Sequence, residues 1–132
     1  MKLLLDTHTF IWWDDAPERL SLAALNACED ASHSLHLSLA SVWEMQIKEQ
    51  LGKVVLPLPL AELLHKHEVE NRLFIEPIIR EDIFALSFLP LHHRDPFDRM
   101  LVAQASAEGM RLLTADGQLA SYGAAVAFVG PA

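Results

Sequence analysis

The sequence predicts an α/β fold built on a mostly parallel sheet covered by helices on both faces. Three observations carry that expectation. Short apolar runs of strand character alternate with segments of helical periodicity along the chain. The strand candidates read as near-continuous apolar runs, as strands buried on both faces do. The chain has 132 residues, 52% of them hydrophobic, which is enough to bury a core and places residues 1–132 in one domain.

The elements follow in order. Lys2–Leu5 is the first strand. Thr9–Trp13 is a short helix and Pro17–Glu29 a longer one. Ser34–Ser38 is the second strand, and Val42–Leu51 a helix that Gly52 is placed to end. Leu60–Arg72 is helical after two prolines. Leu73–Glu76 is a short strand and Glu81–Phe88 a short helix. Asp95–Glu108 is a helix with Pro96 just inside its start and Gly109 just past its end. Arg111–Thr114 and Ala125–Val129 are the last strands.

Composition excludes several classes. No apolar run approaches the roughly 18 residues of a membrane span. The opening MKLLLDTHTF lacks the apolar core and cleavage site of a secretory signal. Cys28 stands alone, which removes an internal disulfide and a cysteine-built zinc site. A cytoplasmic location is expected. The net charge of −8 argues against nucleic acid as a partner. Carboxylates gathered around divalent cations would reverse that sign locally.

Parallel sheets place ligands at the carboxyl ends of their strands. Asp6 follows the first strand, and Asp116 lies two residues past Thr114. Glu44 stands early in the helix leaving the second strand, and Asp98 in the first turn of a helix that starts over the same edge. Each acid also has a structural explanation. Asp6 could cap a helix. Glu44 completes a capping-box pattern with Ser41. Asp98 could form a similar box with Asp95, and Asp116-Gly117 is an ordinary turn pair. Together, four carboxylates on one rim would repel one another and raise their pKa values unless a cation neutralised them. Mg²⁺ and Mn²⁺ prefer such oxygen donors. The quartet Asp6, Glu44, Asp98 and Asp116 is therefore read as a catalytic metal site.

Other residues rank behind it. Asp95 is the N-cap of its helix, with a supporting part in the site as the second reading. Thr7 and Thr114 flank acids and either orient them or cap strand and helix ends. Arg94 and Arg99 could contact phosphate or pair with surface acids. His92 and His93 invite a zinc reading, but no HExxH pattern supports it, so they are read as a loop pair. His8 is read as solvent-facing or as a satisfied core residue. Trp12, Trp13 and Trp43 could stack bases, yet their apolar helical settings favour core packing.

The segments LLLDTHTFIWW, SLASVWEMQIKEQLGKVVLP, LPLHHRDPFDRMLVAQA and RLLTAD resemble the PIN-domain nucleases. More narrowly they resemble the VapC-type toxins of toxin–antitoxin pairs. The resemblance covers essentially the whole chain, with the motifs in the family's order. It implies a three-layer α/β/α sandwich and Mg²⁺- or Mn²⁺-dependent cleavage of RNA. It implies that Asp6, Glu44, Asp98 and Asp116 form the acidic quartet that binds metal, directly or through water, and activates the attacking water. It further implies a homodimer and a VapB-like antitoxin whose tail covers the active site. The segment DPFDR holds two acids where other members open the helix with one.

Competing classes fit less well. Haloacid-dehalogenase-type phosphatases need a second acid two residues after the first, where this chain has His8. Receiver domains carry an acidic pair after their first strand and a lysine after their last, and neither is visible. A PIN-fold interaction module without catalysis is the non-enzymatic alternative, but all four acids are present. No Ser, Cys or His constellation suits covalent catalysis, so metal-assisted hydrolysis leaving a 5′-phosphate and a 3′-hydroxyl is expected.

Overall fold

The computed structural model of the chain describes residues 1–91 and 94–130. Strands β1 (Lys2–Leu5), β2 (Ser34–Ser38), β3 (Phe74–Glu76), β4 (Arg111–Thr114) and β5 (Val126–Phe128) form one sheet in the order β3-β2-β1-β4-β5. Every pairing is parallel. From β1 the chain steps outward to β2 and β3, then crosses back to build β4 and β5 on the other side. The direction of growth reverses at the β1/β4 border, which opens a crevice outside the carboxyl ends of those two strands.

The sheet divides the core in two, because successive side chains of a strand point to opposite faces. Leu3 and Leu5 join Leu37 and Leu113 on one face. There they meet Phe10 of α1 (Thr7–Asp15), Cys28 of α2 (Leu22–Glu29) and Leu63 of α4 (Leu60–Glu70). Leu4, Leu112 and Val126 face the other way, onto Leu101, Val102 and Ala105 of α6 (Pro96–Glu108). Helix α3 (Leu39–Gln50) contributes to both sides, Met45 to the first and Ala40 to the second. α5 (Arg80–Ala85) packs beside α6. The three-layer α/β/α sandwich expected from the sequence is present. Burying each leucine contributes about 1.5–3 kcal/mol before entropy is counted, so both faces must be filled to hold the central strands.

Strands β1, β2 and β4 fall where the apolar runs place them. The single helix read over Pro17–Glu29 is instead a 3-10 turn, Pro17–Arg19, followed by α2. Leu20 between them is extended, and the Ser21 hydroxyl caps α2 by accepting from the Ala24 N–H at 3.1 Å. α3 begins at Leu39, ahead of the expected Val42, because the Ser38 hydroxyl accepts from the Ala40 N–H at 3.0 Å. The Glu81–Phe88 helix is α5 followed by a 3-10 turn, Leu86–Phe88. At α6 the expected signals act as read: Asp95 caps, Pro96 opens, and Gly109 closes in the left-handed region at φ 69°. No helix among the described residues is long and apolar enough to cross a membrane.

The tryptophans divide. Trp13 is half-buried against the rings of Phe10 and His67, as expected for core packing. Trp43 is 62% exposed on the outer side of α3, where it meets Phe97 edge-on, so its reading as a core residue is corrected. An apolar helix setting does not say which flank of the helix the ring occupies. His92 and His93, read as a loop pair, lie outside the described residues.

Candidate active site

Asp6 is the first residue beyond β1 and the N-cap position of α1, yet its side chain makes no capping hydrogen bond. Its Oδ2 instead accepts from Thr114 Oγ1 at 2.7 Å, across the β1/β4 border. Its Oδ1 is buried and has no hydrogen-bond partner among the described residues. The capping explanation for Asp6 therefore fails. Loss of water raises its pKa above the ordinary carboxylate range, with the Thr114 hydrogen bond opposing the shift.

Thr114 does two jobs at the end of β4. Besides donating to Asp6, its hydroxyl accepts from the Asp116 N–H at 3.0 Å. That bond fixes the turn bearing Asp116, whose Oδ1 accepts from the Gln118 N–H at 2.9 Å. Asp116 is thus both a turn residue and a half-buried wall of the crevice.

Asp98 arrives from α6. Asp95 Oδ1 accepts from the N–H groups of Phe97 and Asp98 at 2.8 and 3.0 Å, which makes it the cap that aims this helix start. The carboxyl of Asp98 is pushed up to about 8. Burial is the first cause, and the charges of Asp6, Asp95, Glu44 and Asp116 follow. Acids separated by much of the sequence are therefore electrostatic neighbours. Asp6, Asp98 and Asp116 line one cleft together with His8, Thr9 and Trp12.

Glu44 stands behind this cleft and is not among its lining residues. It is buried in α3, well past the Ser38 cap, so the capping box with Ser41 does not form. Glu44 Oε1 accepts from Thr7 Oγ1 at 2.7 Å, and Ser41 Oγ lies 2.9 Å from the same hydroxyl. Glu44 Oε2 pairs with Lys48 Nζ at 2.6 Å. That bond is the main reason the pKa of Lys48 is raised. Sequence reasoning misses Lys48 and Ser41 as site residues, although Glu44 and Lys48 have the i,i+4 spacing that brings side chains together on one helix face.

Among the described residues, no three His, Cys, Asp or Glu side chains are already gathered at metal-holding distance. The donor chemistry nonetheless suits a hard divalent cation. Asp6 offers a bare buried oxygen, Asp98 and Asp116 stand beside it, and their mutual repulsion is what a cation would relieve.

The arginines lie elsewhere. Arg99 donates to the carbonyls of Pro90 at 3.0 Å and Leu86 at 3.4 Å, and to Tyr122 Oη at 3.2 Å. It braces the segment before α6 and does not line the acid cleft. Arg94 is exposed in a separate depression with Leu86, Leu91 and Pro96. His8 is exposed at the cleft mouth. Trp12, expected in the core, is half-buried on the cleft wall, with the Arg19 guanidinium 4.7 Å from its ring centroid.

The PIN domain profile matches residues 3–125. The chain belongs to the PIN-domain family. It is 34% identical over 122 residues to Ribonuclease VapC22 of Mycobacterium tuberculosis, covering 91% of each protein. Among solved structures, this PIN domain is similar to VapBC2 from Rickettsia felis bound to a DNA fragment from its promoter. That match has a TM-score of 0.71 and 14% identity, and covers 100% of both chains. A toxin–antitoxin complex from Klebsiella pneumoniae matches with a TM-score of 0.63 and 15% identity over 95% of each chain. At such identities the structural likeness speaks for the shared PIN fold.

Proposed function

We propose that this PIN-domain protein is a metal-dependent endoribonuclease, the toxin of a VapBC-type pair, with Mg²⁺ or Mn²⁺ as its cofactor. The observation that carries the reading is the convergence of Asp6, Asp98 and Asp116 on one cleft at the β1/β4 border, with Asp98 pushed up to about 8 by its buried, acidic surroundings. The similarity to a protein named as a ribonuclease supports RNA as the substrate. The toxin–antitoxin neighbours support a VapB-like antitoxin as partner.

Asp6, Asp98 and Asp116 would hold the cation. Bound there, it supplies the positive charge that lowers the pKa of the attacking water and offsets charge on the scissile phosphate. Thr114 fixes Asp6 so that Oδ1, the oxygen without a partner, remains available. Glu44, already engaged by Thr7 and Lys48, adds negative charge behind the cleft and is one of the causes that raise Asp98. Asp95 positions Asp98 through the helix cap. Hydrolysis would leave a 5′-phosphate and a 3′-hydroxyl.

The test is cleavage of single-stranded RNA by purified protein. We expect activity with Mn²⁺ or Mg²⁺, none with EDTA, and losses on the order of 100-fold or more in kcat/KM for Asp6→Asn and Asp98→Asn. Activity that survives EDTA and both substitutions would overturn the mechanism. So would products ending in a 2′,3′-cyclic phosphate.

A further inference from the structure

We propose that a second depression, sharing a wall with the acid cleft, seats an unpaired nucleotide next to the RNA bond that is cut. The inference rests on the ribonuclease reading and adds residues to it. His8 and Trp12 line both the acid cleft and a depression completed by Arg19, Lys53, Val54 and Val55. The two hollows therefore adjoin, on either side of one turn of α1.

Three features of this wall suit a nucleotide. Trp12 presents an indole with the Arg19 guanidinium already over it at 4.7 Å, a stacked pair on which any base can lie. Lys53 follows Gly52, whose left-handed φ of 72° turns the chain out of α3 and brings the lysine to the depression. Val54 and Val55 give it an apolar side.

Charge sets the location apart. The chain carries 10 Lys and Arg against 18 Asp and Glu. Lys48 is engaged by Glu44 and Lys66 by Asp14. Arg99 and Arg111 are turned to backbone carbonyls. Arg19 and Lys53 form no ion pair among the described residues; Lys2, Arg72, Arg80 and Arg94 form none either, but it is Arg19 and Lys53 that line a hollow sharing His8 and Trp12 with the acid cleft. A polyanion approaching a protein of net charge −8 meets these two cations on the shoulder of the acid cleft. A base can reach the Trp12–Arg19 stack only when it is unstacked from its own strand, so the site selects single-stranded or looped RNA.

The experiment compares wild type, Arg19→Gln/Lys53→Gln, Trp12→Leu and Trp12→Phe, with Lys2→Gln as an exposed-lysine control. Steady-state cleavage with Mn²⁺ and RNA binding in EDTA are both measured against salt. The double variant is expected to raise KM about tenfold with kcat changing less. Its salt slope of binding should fall by about 0.7 for each phosphate that is no longer neutralised. Trp12→Leu is expected to weaken binding roughly tenfold and Trp12→Phe to restore most of it. A substrate paired at the cleavage site should be cut more slowly than its single-stranded form.

If wild type cleaves RNA and none of these substitutions moves KM or the salt slope, the subsite is wrong and the ribonuclease reading stands. If wild type binds RNA through these residues but cleaves nothing, the subsite stands and the catalytic reading falls. Unchanged RNA kinetics with weakened capture of a VapB-like antitoxin would assign the depression to a protein and overturn the inference. Should Trp12→Leu fail to fold, the exposed Arg19 and Lys53 still decide the outcome.

Discussion

Asp98 holds its proton near neutrality because it is buried and because ionising it adds a charge beside those of Asp6, Asp95, Glu44 and Asp116. The carboxyl rises from 3.8 to about 8. A pKa raised by folding leaves stability intact below the unfolded value and removes it as pH climbs through the folded one. Asp98→Asn should therefore raise Tm in EDTA at pH 8, with little difference from wild type near pH 4. Saturating Mn²⁺ should cancel the advantage by stabilising only the wild type. Equal melting of both proteins in EDTA at pH 8 would contradict this account. The same residue shows how far single positions are legible in the sequence. The acids can be read because strand ends collect ligands. The Glu44–Lys48 pair is legible too, from its i,i+4 spacing, but the Thr7–Ser41 and Thr7–Glu44 contacts are not, since side-chain partners across helices depend on a docking angle that sequence spacing leaves open. Trp12 and Trp43 depart from expectation for a related reason, because an aromatic ring at the flank of an apolar helix fits either the core or a cleft wall.

Between α5 and α6 lies a second set of unpaired oxygens. Asp82 Oδ2 accepts from the Ile79 N–H at 2.9 Å. Asp82 Oδ1, Glu108 Oε2 and Gln104 Oε1 are buried without partners among the described residues. Burial, then the proximity of Asp82, pushes Glu108 up to about 7 from 4.5. A proton kept on Glu108 can be donated to Asp82 across the seam. The seam is thus firm below about pH 4.5 and weakens as pH rises through about 7. Glu108→Gln should flatten this part of the stability profile, measured as amide exchange of α5 between pH 5 and 8. An unchanged profile would remove the part played by the Glu108 proton. Element boundaries are legible where chemistry punctuates the chain, as at Asp95-Pro96 and Gly109. They are not where a single extended residue, Leu20, interrupts apolar periodicity, since a period cannot register one residue. The start of α3 differs from expectation because a serine cap at Ser38 and a capping-box pattern at Ser41 compete for the same helix, and it is the Ser38 hydroxyl that takes the free N–H, of Ala40.

At the scale of the molecule, the layer architecture follows from strand composition, but the strand order does not. β1 takes the centre by pairing with both β2 and β4, a choice made by long-range contacts that no local run encodes. Exposure is likewise collective. Ile83, Phe84, Phe88 and Leu91 are all more than half exposed within one short stretch, and Trp43 is 62% exposed on α3. Apolar surface of that kind marks protein association sites. It supports the homodimer expected from the family resemblance. Phe84→Asp/Phe88→Asp should convert a dimer to a monomer in light scattering while leaving the circular dichroism spectrum intact. A wild type that is monomeric at high concentration would refute the dimer.

The hydrogen bond from Thr114 to Asp6 joins residues 108 apart in the chain. The Ser21 hydroxyl, bonded to the Val129 carbonyl, spans the same separation. A ribosome delivers Asp6 long before Thr114, so a nascent chain carries its first acid well ahead of any donor to hold it or of Asp98 and Asp116 beside it. The cleft is consequently silent until β4 has emerged. Whatever chemistry the cleft performs therefore waits for the last third of the chain, and a chain cut short before β4 would carry Asp6 without the site.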